Sequence, residues 1–265
     1  MLRLIITAVA ILLIAVFMTM AGRGGGNFYV ILLIIAGESM HQAATTGQFI
    51  MFVTAIGAIL IFHKHKIIAW PMAVMIGLTT GMMAFVGGMA AYEFTGITLK
   101  YVFAAMLTMA GLLMLLPVKP KTINTKKRFG YWSFKTGDIQ YTVNFYVALP
   151  VMLATGLAAG MVGVSGGSFL VPLMVLACGL PVRVAVGTAS TMVAMTALMG
   201  FLGHAVRGEF DPVFALPLGA VAIIGGIIGG KFALKTEPVV LKRIFAFTTL
   251  AAAGFMIANA LLFTM

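Results

Sequence analysis

From Ile139 to Val182 the chain runs for 44 residues without an Asp, Glu, Lys or Arg, and shorter uncharged runs fill much of the remainder. These are Leu4–Gly22, Ile67–Tyr92, Tyr101–Val118, Val184–Val206, Pro212–Gly230 and Ile244–Met265. A helix needs about 20 apolar residues to cross a hydrocarbon core. Most of these runs suffice for one pass, and Ile139–Val182 is long enough for two with a turn between them. A soluble domain carries roughly 25% charged residues; this chain has 9%, with 62% hydrophobic, and cannot cover itself with a wettable surface. The expectation is an all-α, polytopic membrane protein.

The net charge of +11 does not point to nucleic acid. Basic residues cluster in loops beside apolar runs, which the preference of Lys and Arg for the cytoplasmic side explains more simply. The expected partners are the lipid bilayer and a small anionic substrate, with no nucleic acid and no cofactor; a homo-oligomer is left open. Cys178 stands alone in an apolar run, and the His63-x-His65 pair lies in a basic turn that repels cations, so no disulfide or metal site is expected. The 21 methionines are scattered without a repeated cluster and read as packing and lipid-facing residues. The first apolar run follows Arg3 as a signal peptide would, but it has a counterpart deep inside the chain and is read as a permanent helix.

That counterpart belongs to a duplication. Shifted by 141 or 142 positions, the sequence matches itself in order: Gly22, Gly25, Gly26, Phe28, Val30 and Leu32 fall on Gly163, Gly166, Gly167, Phe169, Val171 and Leu173. Gly37, Ala43 and Thr46 fall on Gly179, Ala185 and Thr188, His63 and Pro71 on His204 and Pro212, and Leu99-Lys100 on Leu241-Lys242. Internal symmetry in a polytopic protein points to a transporter built from two repeats. The expected organisation is a first transmembrane repeat, 1–116, a basic cytoplasmic linker, 117–141, and a second repeat, 142–265. Five helical pieces are predicted in each: 3–22, 27–37, 42–62, 70–92 and 98–116, then 143–163, 168–179, 183–204, 212–233 and 239–262.

The linker, the His63-Lys64-His65-Lys66 turn and the loop with Lys235, Lys242 and Arg243 are the most basic, and all are predicted inside. With those loops on one side the repeats are inverted and the C-terminus lies outside, in a membrane of the bacterial inner-membrane type. The piece at 168–179 is about 18 Å long at 1.5 Å per residue, too short to span. Each repeat is therefore read as a short Gly-broken helix hairpin plus three spanning helices, the hairpin tip stopping near the midplane.

The tips are Gly22-Arg23-Gly24-Gly25-Gly26-Asn27 and Gly163-Val164-Ser165-Gly166-Gly167-Ser168. Backbone that leaves a helix inside a bilayer is tolerated where protein buries it or a wet cavity meets it. Helices that start there expose free N–H groups and a partial positive charge. Two such starts converging from opposite faces would make a midplane anion site. Arg23, the lone charge between long uncharged runs, would add attraction. The expected substrate-binding residues are Arg23, Gly24, Gly25, Gly26, Asn27, Ser165, Gly166, Gly167 and Ser168, with Thr46, Gln48, Thr188 and Ser190 from the starts of the following helices. All six acids fall in predicted loops, so no intramembrane carboxylate is expected for a proton or sodium. Anion export would not need one, because an interior-negative potential drives each negative charge outward with about 2.3 kcal/mol per 100 mV.

Gly163-Val164-Ser165-Gly166-Gly167 also fits the G-x-S-x-G nucleophile pattern. Ser165, however, falls on Gly24 of the first repeat, so the position asks for smallness. The plausible base, His204, has a twin in His63 and is expected at the membrane interface. No catalytic residue is expected; the alternatives kept are an anion channel and an intramembrane serine hydrolase using Ser165.

These residues resemble the TauE/SafE sulfite exporter family. The resemblance is carried by Gly163-Val-Ser-Gly-Gly-Ser-Phe169-Leu-Val171-Pro172, by Leu180-Pro181-Val-Arg-Val-Ala185-Val-Gly187-Thr188-Ala-Ser190, and by a weaker first copy in Gly22-Arg-Gly-Gly-Gly26 and Ala43-Ala-Thr-Thr46. It covers nearly the whole chain and implies transport of sulfite, thiosulfate, organosulfonates or related oxyanions. Ser165 and Ser168 stand where the family pattern has glycine.

Overall fold

The structure, a computed structural model, describes residues 2–115, 130–136, 139–164, 166–206, 208 and 210–262. Its helices are α1 (Leu2–Met20), α2 (Gly26–Ile35), α3 (Met40–Lys64), α4 (Trp70–Ala90), α5 (Gly96–Leu115), α6 (Phe145–Val162), α7 (Gly167–Pro172), α8 (Val182–Ala205), α9 (Pro212–Lys235) and α10 (Pro238–Leu262). A 3-10 turn follows α4 at Ala91–Glu93, and a π turn extends α7 through Leu173–Ala177. All ten predicted pieces are helical. Among the described residues seven helices are long and apolar enough to cross a membrane, and the chain is a polytopic all-α membrane protein.

Local chemistry sets the boundaries. Ser39 caps α3 in a reciprocal box, its Oγ accepting from Gln42 N while Gln42 Oε1 accepts from Ser39 N. Asp211 accepts from Val213 N and Phe214 N at the start of α9, with Pro212 in the first turn where no N–H is needed.

One element differs from the sequence expectation. Tyr131–Thr136 (β1) and Ile139–Asn144 (β2) pair antiparallel, Trp132 opposite Val143 and Phe134 opposite Tyr141. Aromatic and β-branched residues alternate there with polar ones, and Tyr141 and Val143 are buried. The described end of the predicted linker is thus a hairpin, and Asn144 closes it while capping α6 by accepting from Tyr146 N. Positions 116–129, 137 and 138 lie outside the described residues.

The helices pack through small residues, as membrane helices do when backbones approach closely. Contacts between α3 and α9 advance together: Gly219 faces Phe49 and Val53, Gly226 the Thr54 carbonyl, and Gly230 Ile61, so the two run in the same direction. The same holds for α4 with α8 (Gly77 with Met195, Gly81 with Met199), α1 with α9 (Gly225 with Ala15, Gly229 with Val16) and α4 with α6 (Gly156 with Thr80, Gly160 with Ala84). Helices α3 and α4 are antiparallel: His41 at the start of α3 stacks on Tyr92 just after α4, while His63 near its end meets Trp70. Arg183 at the start of α8 donates to Thr236 O at the end of α9, so those two are antiparallel as well. The hairpin of α1 and α2 returns to the side it entered from, closed by Arg3 Nη2 on Glu38 Oε1 at 2.8 Å.

Candidate functional site

The two glycine-rich tips lie against one another in the interior. Gly22 and Gly163 end α1 and α6 in the left-handed region, at φ 72° and 76°. Neither tolerates a side chain: a methyl on Gly22 would lie 2.8 Å from Val186 Cα, and one on Gly163 would strike Ala44. Gly22 therefore rests on α8 and Gly163 on α3. A methyl on Gly167 would sit 3.1 Å from Gly22 O and 3.3 Å from Arg23 Cα, which puts the tips in direct contact. Val193, in the middle of α8, touches both Gly24 and Gly167, so α2 and α7 begin at mid-depth of that helix.

Residues 21–26, 162–164, 166 and 167 are all buried. Among the described residues, no hydrogen bond uses the amide N–H of Gly24, Gly25, Gly26, Gly166 or Gly167 as donor. Buried amides normally find acceptors, so this is a concentration of donors at one place. The two helix starts differ in form. α2 has ten regular residues, whereas α7 has six before the π turn that extends it, so both point a helix dipole at the tips.

Arg23 is 1% exposed. Its Nη1 donates to Thr249 Oγ1 at 2.6 Å and to Thr248 Oγ1 at 3.5 Å on α10, and its guanidinium lies 5.1 Å from the centre of the Phe245 ring. Both threonines donate in turn to their own helix, Thr248 to Ile244 O and Thr249 to Phe245 O, so their oxygens are turned toward the arginine. Tyr29 folds back over the start of α2, its ring against Gly25 and its hydroxyl 3.1 Å from Thr54 Oγ1. Sequence reasoning passed over Tyr29, Thr54, Phe245, Thr248 and Thr249; the signal available was hydroxyl groups inside uncharged runs.

The other expected site residues are dispersed. Gln48 is fully buried, with Nε2 donating to Ala159 O at 3.2 Å beside the second tip; among the described residues its Oε1 has no partner. Thr188 Oγ1 accepts from Ala69 N at 3.0 Å, supporting the start of α4. Ser190 Oγ donates to Val186 O within α8, and Thr46 is buried in α3. Ser165 and the side chains of Asn27 and Ser168 lie outside the described residues. His204, expected at the interface, is instead fully buried with Nε2 donating to Gly160 O at 2.8 Å, while its twin His63 is exposed. The Ala159 and Gly160 carbonyls near the end of α6 accept from Val164 N and Gly163 N, and Gln48 and His204 each add a second donor to them.

Comparison with known proteins agrees with this architecture. The chain is 22% identical over 230 residues to the probable membrane transporter protein YunE of Bacillus subtilis (strain 168), covering 83% of this chain and 84% of that one. It is 23% identical over 247 residues to the probable membrane transporter protein YdhB of the same organism, covering 92% and 96%. A probable membrane transporter protein of Xylella fastidiosa (strain Temecula1 / ATCC 700964) is 27% identical over 244 residues, covering 88% and 87%. No solved structure gives a significant match. The family described as sulfite exporter TauE/SafE matches residues 7–256, and the chain belongs to that family of membrane transporters.

Proposed function

We propose that the protein exports a small sulfur-containing oxyanion, sulfite, thiosulfate or an organosulfonate, by alternating access around a midplane site between the two tips. The observation that carries this reading is the contact of Gly167 with Gly22 and Arg23, with five amide donors gathered there that have no acceptor among the described residues. An oxyanion accepts from such donors in several directions at once, and no carboxylate is needed to hold it. The α2 dipole and Arg23 supply positive potential from one side. Inverted repeats are supported by the helix directions: α3 runs opposite to α4, α4 runs with α8, and α3 is therefore opposed to its counterpart α8. Such repeats exchange access by rocking one against the other. The family name supports a sulfur oxyanion, and the membrane potential supplies an outward drive of about 2.3 kcal/mol per charge per 100 mV.

The test is flux of radiolabelled sulfite, thiosulfate and sulfate in proteoliposomes under an imposed potential of each sign. Flux that follows the potential, favours one anion and is lost in Gly167→Leu supports the reading. Absence of flux for all three, under either sign and with a proton gradient added, would reject it and turn attention to hydrolysis at Ser165.

A further inference from the structure

His204 is a buried titratable side chain that anion binding at the tips leaves without a task. It lies in the last turn of α8 and is 0% exposed. Its Nε2 faces the Gly160 carbonyl at 2.8 Å. A carbonyl only accepts, so Nε2 carries the hydrogen and Nδ1 holds a bare lone pair. Among the described residues Nδ1 has no hydrogen-bond partner, a costly state for a buried acceptor and one that calls for a reason.

Two further contacts place this atom between solvent and the tips. Gly160 O also accepts from Gly163 N at 3.3 Å, so a single carbonyl separates the imidazole from the second tip. On the other side the His204 ring is 6.1 Å from the Tyr92 ring, which stacks at 4.4 Å on the partly exposed His41.

We infer that Nδ1 of His204 takes up a proton when the anion binds at the tips and releases it when the anion leaves, so that anion binding is coupled to protonation. The inference rests on the midplane anion site. A buried imidazolium needs a counter-charge, and an anion at the tips would supply one from the direction of the second hairpin. Coupling of this kind is reciprocal: whatever the proton does for anion affinity, the anion does for proton affinity. The proton comes from and returns to solvent, and no bond other than N–H is made or broken.

The surrounding elements leave few competing charges. His41 of α3 and Tyr92 of the 3-10 turn face the ring; Glu93 beside Tyr92 is exposed. α4, α7 and the π turn carry no titratable side chain, and the titratable residue of α6, Tyr146, is at its opposite end. Arg183 opens α8 at its far end, and Lys242 and Arg243 open α10 beside it, near Thr236. Arg207 and Glu209 lie outside the described residues.

The experiment uses the purified full chain and thiosulfate, which stays fully ionised across the range in which imidazole titrates, about pH 5 to 8. Proton uptake on thiosulfate addition is read with an indicator dye in weakly buffered solution, and affinity by calorimetry at both ends of that range. The expected result is uptake peaking at about half a proton per bound anion, with affinity tightening about tenfold toward acid. His204→Gln, whose amide still donates to Gly160 O, should bind thiosulfate with no uptake and flat affinity, while His41→Gln should keep the uptake. Wild-type binding without uptake overturns the inference even if His204→Gln does not fold, as does uptake that survives in His204→Gln or vanishes in His41→Gln. If thiosulfate, sulfite and sulfate all fail to bind the wild type, the anion site itself is wrong and the inference falls with it.

Discussion

The sharpest consequence of the site geometry concerns Thr249. Replacing it with valine keeps shape and volume but deletes the oxygen that accepts from Arg23 Nη1 at 2.6 Å. A hydrogen bond to a charged group is worth about 1.5–3 kcal/mol in soluble proteins. Hydrogen bonds between membrane helices average only about 0.6 kcal/mol and reach about 1.7, because alternative partners exist in the unfolded membrane state. A short bond to a buried cation belongs at the top of the membrane range, about 1.5 kcal/mol, or about tenfold in an equilibrium. Thr248, at 3.5 Å, sits at the limit of hydrogen bonding, and its loss should cost no more than about 0.5 kcal/mol, about twofold. If Arg23 faces the substrate, the half-saturation concentration for thiosulfate in proteoliposomes should rise about tenfold in Thr249→Val and about twofold in Thr248→Val. Thr249→Ser should restore it. Equal effects of the two valine variants would refute this account of how Arg23 is held. A fall in melting temperature with unchanged half-saturation would reduce Arg23 to a structural tether.

Other consequences follow from packing. Gly226→Ala drives a methyl into the Thr54 carbonyl and should abolish monodisperse protein on size exclusion, whereas Gly254→Ala, with nothing within 4 Å, should be neutral or slightly raise the melting temperature. Cysteines at Lys66 and Lys235, at the ends of the co-directional α3 and α9, should react with an impermeant thiol reagent from the same side of a sealed vesicle, and a cysteine at Arg3 from the other. Ser39→Ala removes the α3 cap and should lower stability by about 1 kcal/mol, visible as a shift in melting temperature.

Much of this fold was legible because one criterion, the uncharged run, reports directly on what a bilayer accepts. The offset between Gly22 and Gly163 also translated into geometry: both end a helix with nearly equal positive φ. The same criterion is blind to periodicity, which is why Ile139–Asn144 was absorbed into an apolar run although Gln140, Thr142 and Asn144 alternate with Ile139, Tyr141 and Val143. The partners of Arg23 were out of reach for a different reason. They lie 225 and 226 residues away on α10, and nothing local to Arg23 distinguishes a side chain turned to a neighbouring helix from one turned to a ligand. Thr188 was assigned to the substrate by its position early in a helix, but it faces the amide of Ala69, a demand that exists only once α4 is docked beside α8.

The two tips share a symmetric frame and differ in what they offer an anion. Gly22 on Val186 of α8 and Gly163 on Ala44 of α3 are matching contacts, each linking positions that the offset of 141 or 142 residues relates. Within that frame the first tip has Arg23 where the second has Val164, and Gly25 has φ 84° where Gly166 has −62°. Only the first tip leads into a ten-residue helix; the second leads into six residues and a π turn. The fixed charge therefore comes from one hairpin, while both contribute backbone donors. In the proposed mechanism, rocking that parts the tips should leave the anion with the first hairpin, so that the first tip sets affinity and the second the rate of exchange. Removing one charge about 5 Å from an anion at an effective dielectric of about 20 costs about 3 kcal/mol. Arg23→Gln should then raise half-saturation by roughly two orders of magnitude with a smaller change in maximal rate. Gly166→Ala, at a φ that alanine adopts readily, should lower the maximal rate and leave half-saturation within about threefold, as its methyl meets Thr155 Cγ2 at 3.2 Å and no charge is lost. The opposite pattern, an Arg23→Gln protein with unchanged half-saturation, would mean that the charge holds hairpin to bundle and that the anion is bound by amides alone.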